Sequence, residues 1–195
     1  MPRSLSFVGL LIATMIVVAS THPTRAQTIG SAERFTAAAI NTNRGAAGSI
    51  EIVVRRWSTD SERDKLLGVL REKGPDQLLA TLQHLPRKGF FRAPGRLGWD
   101  LRFARRVPLA EGGERVILAT DRRISFWETT NQPRSIDYPF TVIELHLNRD
   151  GEGEGKMSLA TKITEDADHH VITLENYELQ PVLLTQVKRE PKKAS

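Results

Sequence analysis

From Glu33 onwards, the sequence consists mainly of short segments in which apolar and polar residues alternate, separated by glycine, proline, asparagine and aspartate. In Phe140–Asn148, for example, Ile143, Leu145 and Leu147 lie on one face of an extended chain. A period of two residues is typical of a strand that buries one face. Parallel strands need a crossover connection, usually a helix, and the chain has a single helical stretch. The pattern therefore predicts an antiparallel meander.

Segments rich in Ile, Val, Phe and Thr recur at roughly 10-residue spacing and predict about eight to ten short strands. The predicted strands are Glu33–Ile40, Ser49–Trp57, Gly89–Ala93, Trp99–Val107, Arg115–Thr120, Ile124–Glu128, Phe140–Asn148, Lys156–Thr164, His170–Glu175 and Val182–Val187. This number of strands suits a mainly β fold that closes as an up-and-down barrel of lipocalin-like size. An open β-sandwich is the alternative.

One stretch, residues 61–85, has helical rather than strand periodicity. Thr59 and Glu62 have the spacing of a capping box at its start. Leucines follow at helical spacing, Gly74 interrupts them, and Pro75 suits the first turn of a second helix. We therefore predict a helical pair inserted into the sheet, whose leucines cover a sheet edge or act as a lid at the barrel mouth.

Residues 1–26 have the three parts of a secretory signal peptide. Arg3 gives a positively charged start, Leu5–Val18 is an uncharged apolar run, and Thr24-Arg25-Ala26 places small residues before a cleavage site at Gln27. The apolar run is shorter than the roughly 20 residues that a membrane-spanning helix needs. We predict that the chain is exported to the periplasm or the extracellular space, with no transmembrane segment after cleavage.

The remaining sequence predicts one domain, residues 27–187, followed by a basic flexible tail, residues 188–195. Removing the two arginines of the signal from 28 basic residues, against 23 acidic ones, lowers the net charge from +5 to +3. Residues 188–193 alone carry +3, so the domain itself is neutral. The basic composition is therefore poor evidence for a nucleic-acid partner, and we expect none. The tail could contact an anionic polymer or lipid of the cell envelope.

The neutral domain is divided into a basic and an acidic stretch. Residues 87–123 hold ten basic and four acidic residues, whereas residues 144–178 hold three basic and nine acidic ones. In an antiparallel sheet, arginines of one stretch can pair with carboxylates of the other across strands. The alternative is an arginine cluster that binds an anionic ligand through bidentate hydrogen bonds. The candidate residues are Arg102, Arg105 and Arg106, with Trp99 and Trp127 as apolar walls.

Glu144 and His146 lie two residues apart and so share one face of a predicted strand. Such a pair can contact a ligand, bind a metal, or act as a base with its orienting carboxylate. The opposite face carries Ile143, Leu145 and Leu147. That face is the better candidate for the core, and it places Glu144 and His146 towards solvent.

A second polar group lies at a predicted hairpin turn and consists of Asp166, Asp168, His169 and His170. Carboxylate and imidazole groups suit zinc or copper, but polar residues are also common in turns. A metal site would need a further ligand from another strand, such as His146. The sequence specifies no cofactor.

No motif in the sequence specifies a reaction. The chain has no cysteine, which excludes disulfides, thiolate metal sites and a lipid-modified cysteine. It also lacks the P-loop, G-x-S-x-G and H-E-x-x-H motifs. We therefore expect a non-catalytic binding module that encloses a small apolar or amphipathic anionic ligand in the barrel. The alternatives are an envelope protein that binds anionic polymer or lipid, and a hydrolase or metal-dependent enzyme that uses His146 and Glu144.

Overall fold

The computed structural model describes residues 32–42, 45–121, 139–166, 171–176 and 180–191 of the chain. Within these ranges the chain forms nine strands and one kinked helix. In chain order they are β1 (Glu33–Asn41), β2 (Ala46–Val54), α1 (Asp60–His84), β3 (Gly89–Arg92), β4 (Trp99–Pro108), β5 (Glu114–Thr120), β6 (Phe140–Leu147), β7 (Glu152–Asp166), β8 (Val171–Asn176) and β9 (Val182–Arg189). The predicted signal peptide and the strand predicted at Ile124–Glu128 lie outside the described residues.

Eight of the nine described strands close into an antiparallel barrel. From β1 to β7, each strand pairs with the next one along the chain, and β9 pairs with both β7 and β1 to complete the ring. β8 lies outside the ring and pairs with Thr161–Asp166, the far half of the long β7. The prediction of a mainly β fold with an up-and-down barrel is confirmed, and the open β-sandwich is not needed.

Buried apolar side chains form the core of the barrel. The register of β5 with β6 pairs Val116 with Leu145 and Leu118 with Ile143, and all four side chains are buried. They belong to one core cluster to which every strand of the ring contributes. The interior of an eight-stranded barrel is either filled by side chains or holds one small ligand. Buried apolar side chains from all eight strands lie in the space in which a ligand is expected, and an enclosed ligand there stays a prediction.

The helix begins at the predicted capping box. The backbone N–H of Glu62 donates to Oγ1 of Thr59 at 3.1 Å, and Oε2 of Glu62 accepts from the backbone N–H of Thr59 at 2.9 Å. Gly74, with φ of 78° and ψ of −177°, interrupts the helical conformation just before Pro75. This backbone conformation favours glycine and divides α1 into the two predicted segments. Among the described residues, no helix has both the length and the apolar character needed to span a membrane.

The leucines of α1 pack on the outer wall of the barrel. They form a second core cluster with Ala119 of β5 and with Phe140 and Val142 of β6. Because Leu118 and Ile143 point inward, their neighbours Ala119 and Val142 point outward. The helical pair therefore covers an apolar part of the wall and also packs against Ile163 of β7 and Leu174 of β8, the last strand of the sheet.

The barrel continues two residues beyond the predicted domain boundary. β9 includes Lys188 and Arg189, which the sequence analysis assigned to the flexible tail. The backbone N–H of Glu190 then donates to the carbonyl oxygen of Arg34 at 2.8 Å, and Oε1 of Glu190 accepts from the hydroxyl of Thr36 at 3.0 Å. Strand pairing thus holds the start of the basic segment against β1.

Candidate ligand-binding site

One end of the barrel is closed by inward-facing charged residues. Arg106 of β4 and Arg189 of β9 each pair with both Glu33 of β1 and Glu114 of β5. The guanidinium of Arg106 also lies 4.1 Å from the ring centroid of Trp57. Two cations and two anions compensate each other's charge, so this mouth network has no net charge with which to attract an anion. Its role in the geometry is to close the mouth above the apolar core.

A groove of about 460 Å³ lies on the outer wall of the barrel. Its lining residues are Thr36, Ser49, Ile50, Glu51, Arg92, Pro94 and Gly95. Thr36 pairs with Glu51 across β1 and β2, and Glu51 pairs with Arg92 across β2 and β3. Three neighbouring strands therefore form the floor of the groove, and the loop after β3 forms one side.

One carboxylate in the groove is shared by two arginines. Nε of Arg92 donates to Oε2 of Glu51 at 2.6 Å, and Arg34 of β1 pairs with Oε1 of the same carboxylate. Each carboxylate balances only one guanidinium, so this triad carries a net charge of about +1. The side chains of Arg34 and Arg92 are half exposed. A second anion can therefore approach Arg92 from the solvent.

The positive charge extends from the groove around Phe90 of β3. The guanidinium groups of Arg55, Arg87 and Arg92 lie 5.5–5.7 Å from its ring centroid. Arg87 also pairs with Asp100 at 2.9 Å. We call Arg34, Arg55, Arg87 and Arg92, with Phe90 at the centre, the arginine face. Its four guanidinium groups outnumber the carboxylates of Glu51 and Asp100 that pair with them.

The structure does not bring the predicted arginine cluster together. Arg102 donates to Asp121 and to the carbonyl oxygen of Leu85, both at 3.1 Å. Arg105 donates to Asp60 of α1 at 2.8 Å, and this hydrogen bond and charge hold the pKa of Asp60 below its ordinary value. These two side chains tie the helical insertion to the barrel wall.

The remaining members of that prediction lie elsewhere. Arg106 belongs to the mouth network, while Trp99 stacks on Phe91 with a centroid distance of 5.2 Å and packs against the interior core. Trp127 lies outside the described residues. The described members thus make separate structural contacts instead of converging on one anion.

Glu144 and His146 do meet, on the outer wall. Nε2 of His146 lies 2.8 Å from Oε1 of Glu144, and Lys156 and Arg115 approach the same carboxylate at 3.5 and 3.8 Å. Burial raises the pKa of Glu144, but the hydrogen bond from His146 and the charge of Lys156 outweigh it, so the pKa lies below its ordinary value. The prediction that Ile143, Leu145 and Leu147 face the core is confirmed.

The predicted metal group cannot be placed in full. Asp166 is the last residue of β7, whereas Asp168, His169 and His170 lie outside the described residues. Within the ranges that the structure describes, no group of three or more histidine or carboxylate side chains has an arrangement that could hold a metal ion. A metal site at this turn stays a prediction.

Sequence reasoning missed the groove because its residues come from three strands and a loop. Two signals are present in the sequence: Arg92 belongs to the basic stretch of residues 87–123, and Pro94-Gly95 is a dipeptide typical of turns. Nothing local connects them with Thr36 or Glu51, since only the strand register brings these side chains together.

The fold and the groove define a closed antiparallel β-barrel with an apolar core and an external groove beside the arginine face. Comparison of the chain with protein-family models, with curated proteins and with solved structures finds no match. The side chains of the groove are therefore the basis on which a function is assigned.

Proposed function

We propose that the protein is a non-catalytic binding module that holds an amphipathic anion on its outer wall, with the acidic head of the ligand at Arg92. The observation that carries this proposal is the net positive triad of Arg34, Glu51 and Arg92 beside a groove of about 460 Å³. The signal-like residues 1–26 support an exported location.

The Arg92 side of the groove favours an anionic head group, whereas the carboxylate of Glu190, which accepts from Thr36 at 3.0 Å, makes the β1 side less positive. The planar guanidinium of Arg92 has five N–H donors, of which the one on Nε is bound to Glu51. A phosphate or carboxylate can accept from its other N–H groups, and such charge-assisted hydrogen bonds are stronger than neutral ones. Arg55 and Arg87, on the far side of Phe90, add to the positive potential.

The shape of the groove favours an apolar tail behind that head. Its volume lies within the range of roughly 300–1,000 Å³ that is typical of small-molecule sites. Pro94 supplies apolar surface, and Ser49 and Gly95 are too small to obstruct the space beside it. A short alkyl chain laid along β2 would remove this surface from water.

The proposal can be tested by calorimetric titration with dodecyl phosphate below its micelle concentration. We expect binding by the parent chain, with no comparable binding of dodecyltrimethylammonium, which has the same tail and the opposite charge. Arg92→Gln removes the head-group contact and should weaken binding roughly tenfold or more. Ser49→Trp fills the groove with an indole ring and should abolish binding.

Arg115→Gln provides the matched control, because Arg115 is a similarly exposed arginine that pairs with a carboxylate on another part of the outer wall. This variant should bind dodecyl phosphate like the parent. Every variant retains residues 1–26, so any binding by that apolar segment is common to all of them. Equal affinity of the parent, Arg92→Gln and Ser49→Trp would refute the proposal.

A further inference from the structure

An exposed apolar row lies at the barrel end opposite the mouth network. Ile40 of β1 pairs in register with Leu183 of β9 on one side and with Ala47 of β2 on the other. Ile40 is 37% exposed and Leu183 is 47% exposed. Because Phe35, Ala37 and Ala39 point into the core, Ile40 and its two partners point outward. They form a continuous apolar strip across three neighbouring strands.

The loop between β3 and β4 carries a further exposed leucine at the same end of the barrel. Leu97 is 90% exposed, and the whole segment from Pro94 to Gly98 is exposed. Gly95 has a φ of 68°, which favours glycine and sets the turn. Pro94 and Gly95 line the groove over β1 and β2, the strands that also carry Ile40 and Ala47. Leu97 therefore projects into solvent next to the groove, at the barrel end that carries the strip.

Positive charge lies behind this apolar rim. Arg92 precedes the loop, and Arg34 lies on β1. Arg55 and Arg87 lie beyond Phe90, next to the ends of β2 and β3 nearer the mouth network. The surface of an anionic bilayer has a layer of charged head groups above the acyl chains. A leucine at the tip of the barrel can enter the acyl boundary while the arginines behind it contact the head groups. Charge complementarity thus favours a lipid surface as the partner.

We infer that this barrel end docks on an anionic lipid bilayer, with Leu97 inserted and Ile40 and Leu183 resting at the interface. The biological reason for docking rests on the proposed function, because a bilayer is where an amphipathic anion would be collected or delivered. One inserted leucine gives weak, reversible attachment. The arginine face should therefore make binding depend on anionic lipid and weaken it as salt is raised.

The absence of cysteine allows a direct test on the full chain. Leu97→Cys gives one thiol, which can be labelled with an environment-sensitive fluorophore. Glu111→Cys, in the exposed loop between β4 and β5 at the opposite barrel end, is the matched control. With phosphatidylcholine vesicles that contain phosphatidylglycerol, we expect a blue shift at position 97 and none at position 111. Vesicles of phosphatidylcholine alone should give little change at either position.

A second pair of variants tests the charge. Arg55→Gln with Arg87→Gln, introduced into the labelled Leu97→Cys chain, should lower partitioning onto the anionic vesicles roughly tenfold or more. Because the label reports its own surroundings, attachment through the apolar residues 5–18 would shift neither position 97 nor the control. An unchanged emission at position 97 with anionic vesicles would overturn the inference. So would a concentration-dependent shift without vesicles, which would indicate a second copy of the chain on this surface.

The proposed docking surface and the proposed ligand site can be refuted independently of each other. Titration of the same labelled protein with dodecyl phosphate, without vesicles, measures the groove alone. Dodecyl phosphate binding without a vesicle response would reject docking and leave the proposed function standing. A vesicle response without dodecyl phosphate binding would reject the groove as a ligand site and support docking through the arginine face alone.

Discussion

Nζ of Lys88 lies 2.6 Å from Oε1 of Glu62, and the side chain of Lys88 is only 1% exposed. Glu62 belongs to the capping box of α1, whereas Lys88 immediately precedes β3. The backbone of Lys88 is also hydrogen-bonded. Its N–H donates to the carbonyl oxygen of Leu101, and its carbonyl oxygen accepts from the N–H of Arg55. The pair therefore joins both ends of the helical insertion at the point where β2 and β3 meet.

Breaking this pair should destabilise the protein strongly. Lys88→Met leaves the partly buried carboxylate of Glu62 without its closest cation, and breaking a buried pair in this way typically costs about 3–5 kcal/mol. Urea unfolding followed by circular dichroism measures the loss. Lys65→Met, on an exposed position of α1, removes the same charge from solvent and should change the unfolding free energy by less than about 0.5 kcal/mol. Equal stability of the two variants would contradict a structural role for Lys88.

The same carboxylate predicts a pH dependence of stability. Burial raises the pKa of Glu62, but hydrogen bonds from Lys88 and from the backbone of Thr59 outweigh it, so the pKa in the folded state lies below the ordinary value of 4.5. The stabilisation is therefore present above pH 4.5 and is lost as the pH falls through the lower folded-state pKa. Glu62→Gln preserves the capping box but removes the charge.

We expect Glu62→Gln to be less stable than the parent at pH 7 and to approach the parent's stability as the pH is lowered towards 3, a range set roughly by ordinary carboxyl titration. Urea unfolding of both proteins across this range gives the difference directly. A constant difference at all pH values would mean that packing, and not the charge of Glu62, accounts for the effect.

A third prediction concerns the packing of the apolar core. Leu145→Ala removes a fully buried side chain from the barrel core and should cost about 2–5 kcal/mol. Leu97→Ala makes the same chemical change at an exposed position and should alter stability by less than about 0.5 kcal/mol. Thermal and urea unfolding of the two variants provide the comparison. Similar small effects of both changes would indicate a hollow or loosely packed barrel.

Local patterns predicted much of the fold because they depend on neighbouring residues alone. The alternation in Phe140–Asn148 identified both the strand β6 and its inward face, since successive side chains of a strand point to opposite sides. Thr59 and Glu62 identified the start of α1 because a capping box needs only their spacing. Barrel closure followed from the number of strands and the scarcity of helices.

The site was harder to predict because a single extra residue changes which side chains share a face. The pairing of β4 with β5 shifts register between Leu101 and Phe103, so Leu101 and Ala104 both point into the core although they lie three residues apart. Arg105 and Arg106 are neighbours on the strand, so they face opposite sides in any register: Arg105 points outward to Asp60 and Arg106 inward to Glu33. The shift decides only that Arg102 shares the outer face with Arg105, and no local signal in the sequence marks it.

The last prediction concerns the mouth network, and in particular the coupling energy between two of its charged residues. Arg106 and Glu33 pair on the inward face, and Trp57 covers the guanidinium group. A double-mutant cycle with Arg106→Gln and Glu33→Gln should give a coupling energy of about 1–3 kcal/mol in unfolding experiments, because the pair is partly shielded from water. The cycle should lose little of this coupling when salt is raised, since shielded pairs are screened less.

Lys188 and Glu152 supply the matched control for this cycle. They also pair between barrel strands, with Nζ and Oε1 3.1 Å apart, but their side chains are 60% and 56% exposed. Exposed ion pairs contribute little because water screens them and holding two long side chains costs entropy, so we expect a coupling below about 0.5 kcal/mol. A coupling for Arg106 and Glu33 no larger than that of the control would mean that the mouth network only occupies the barrel end without stabilising it.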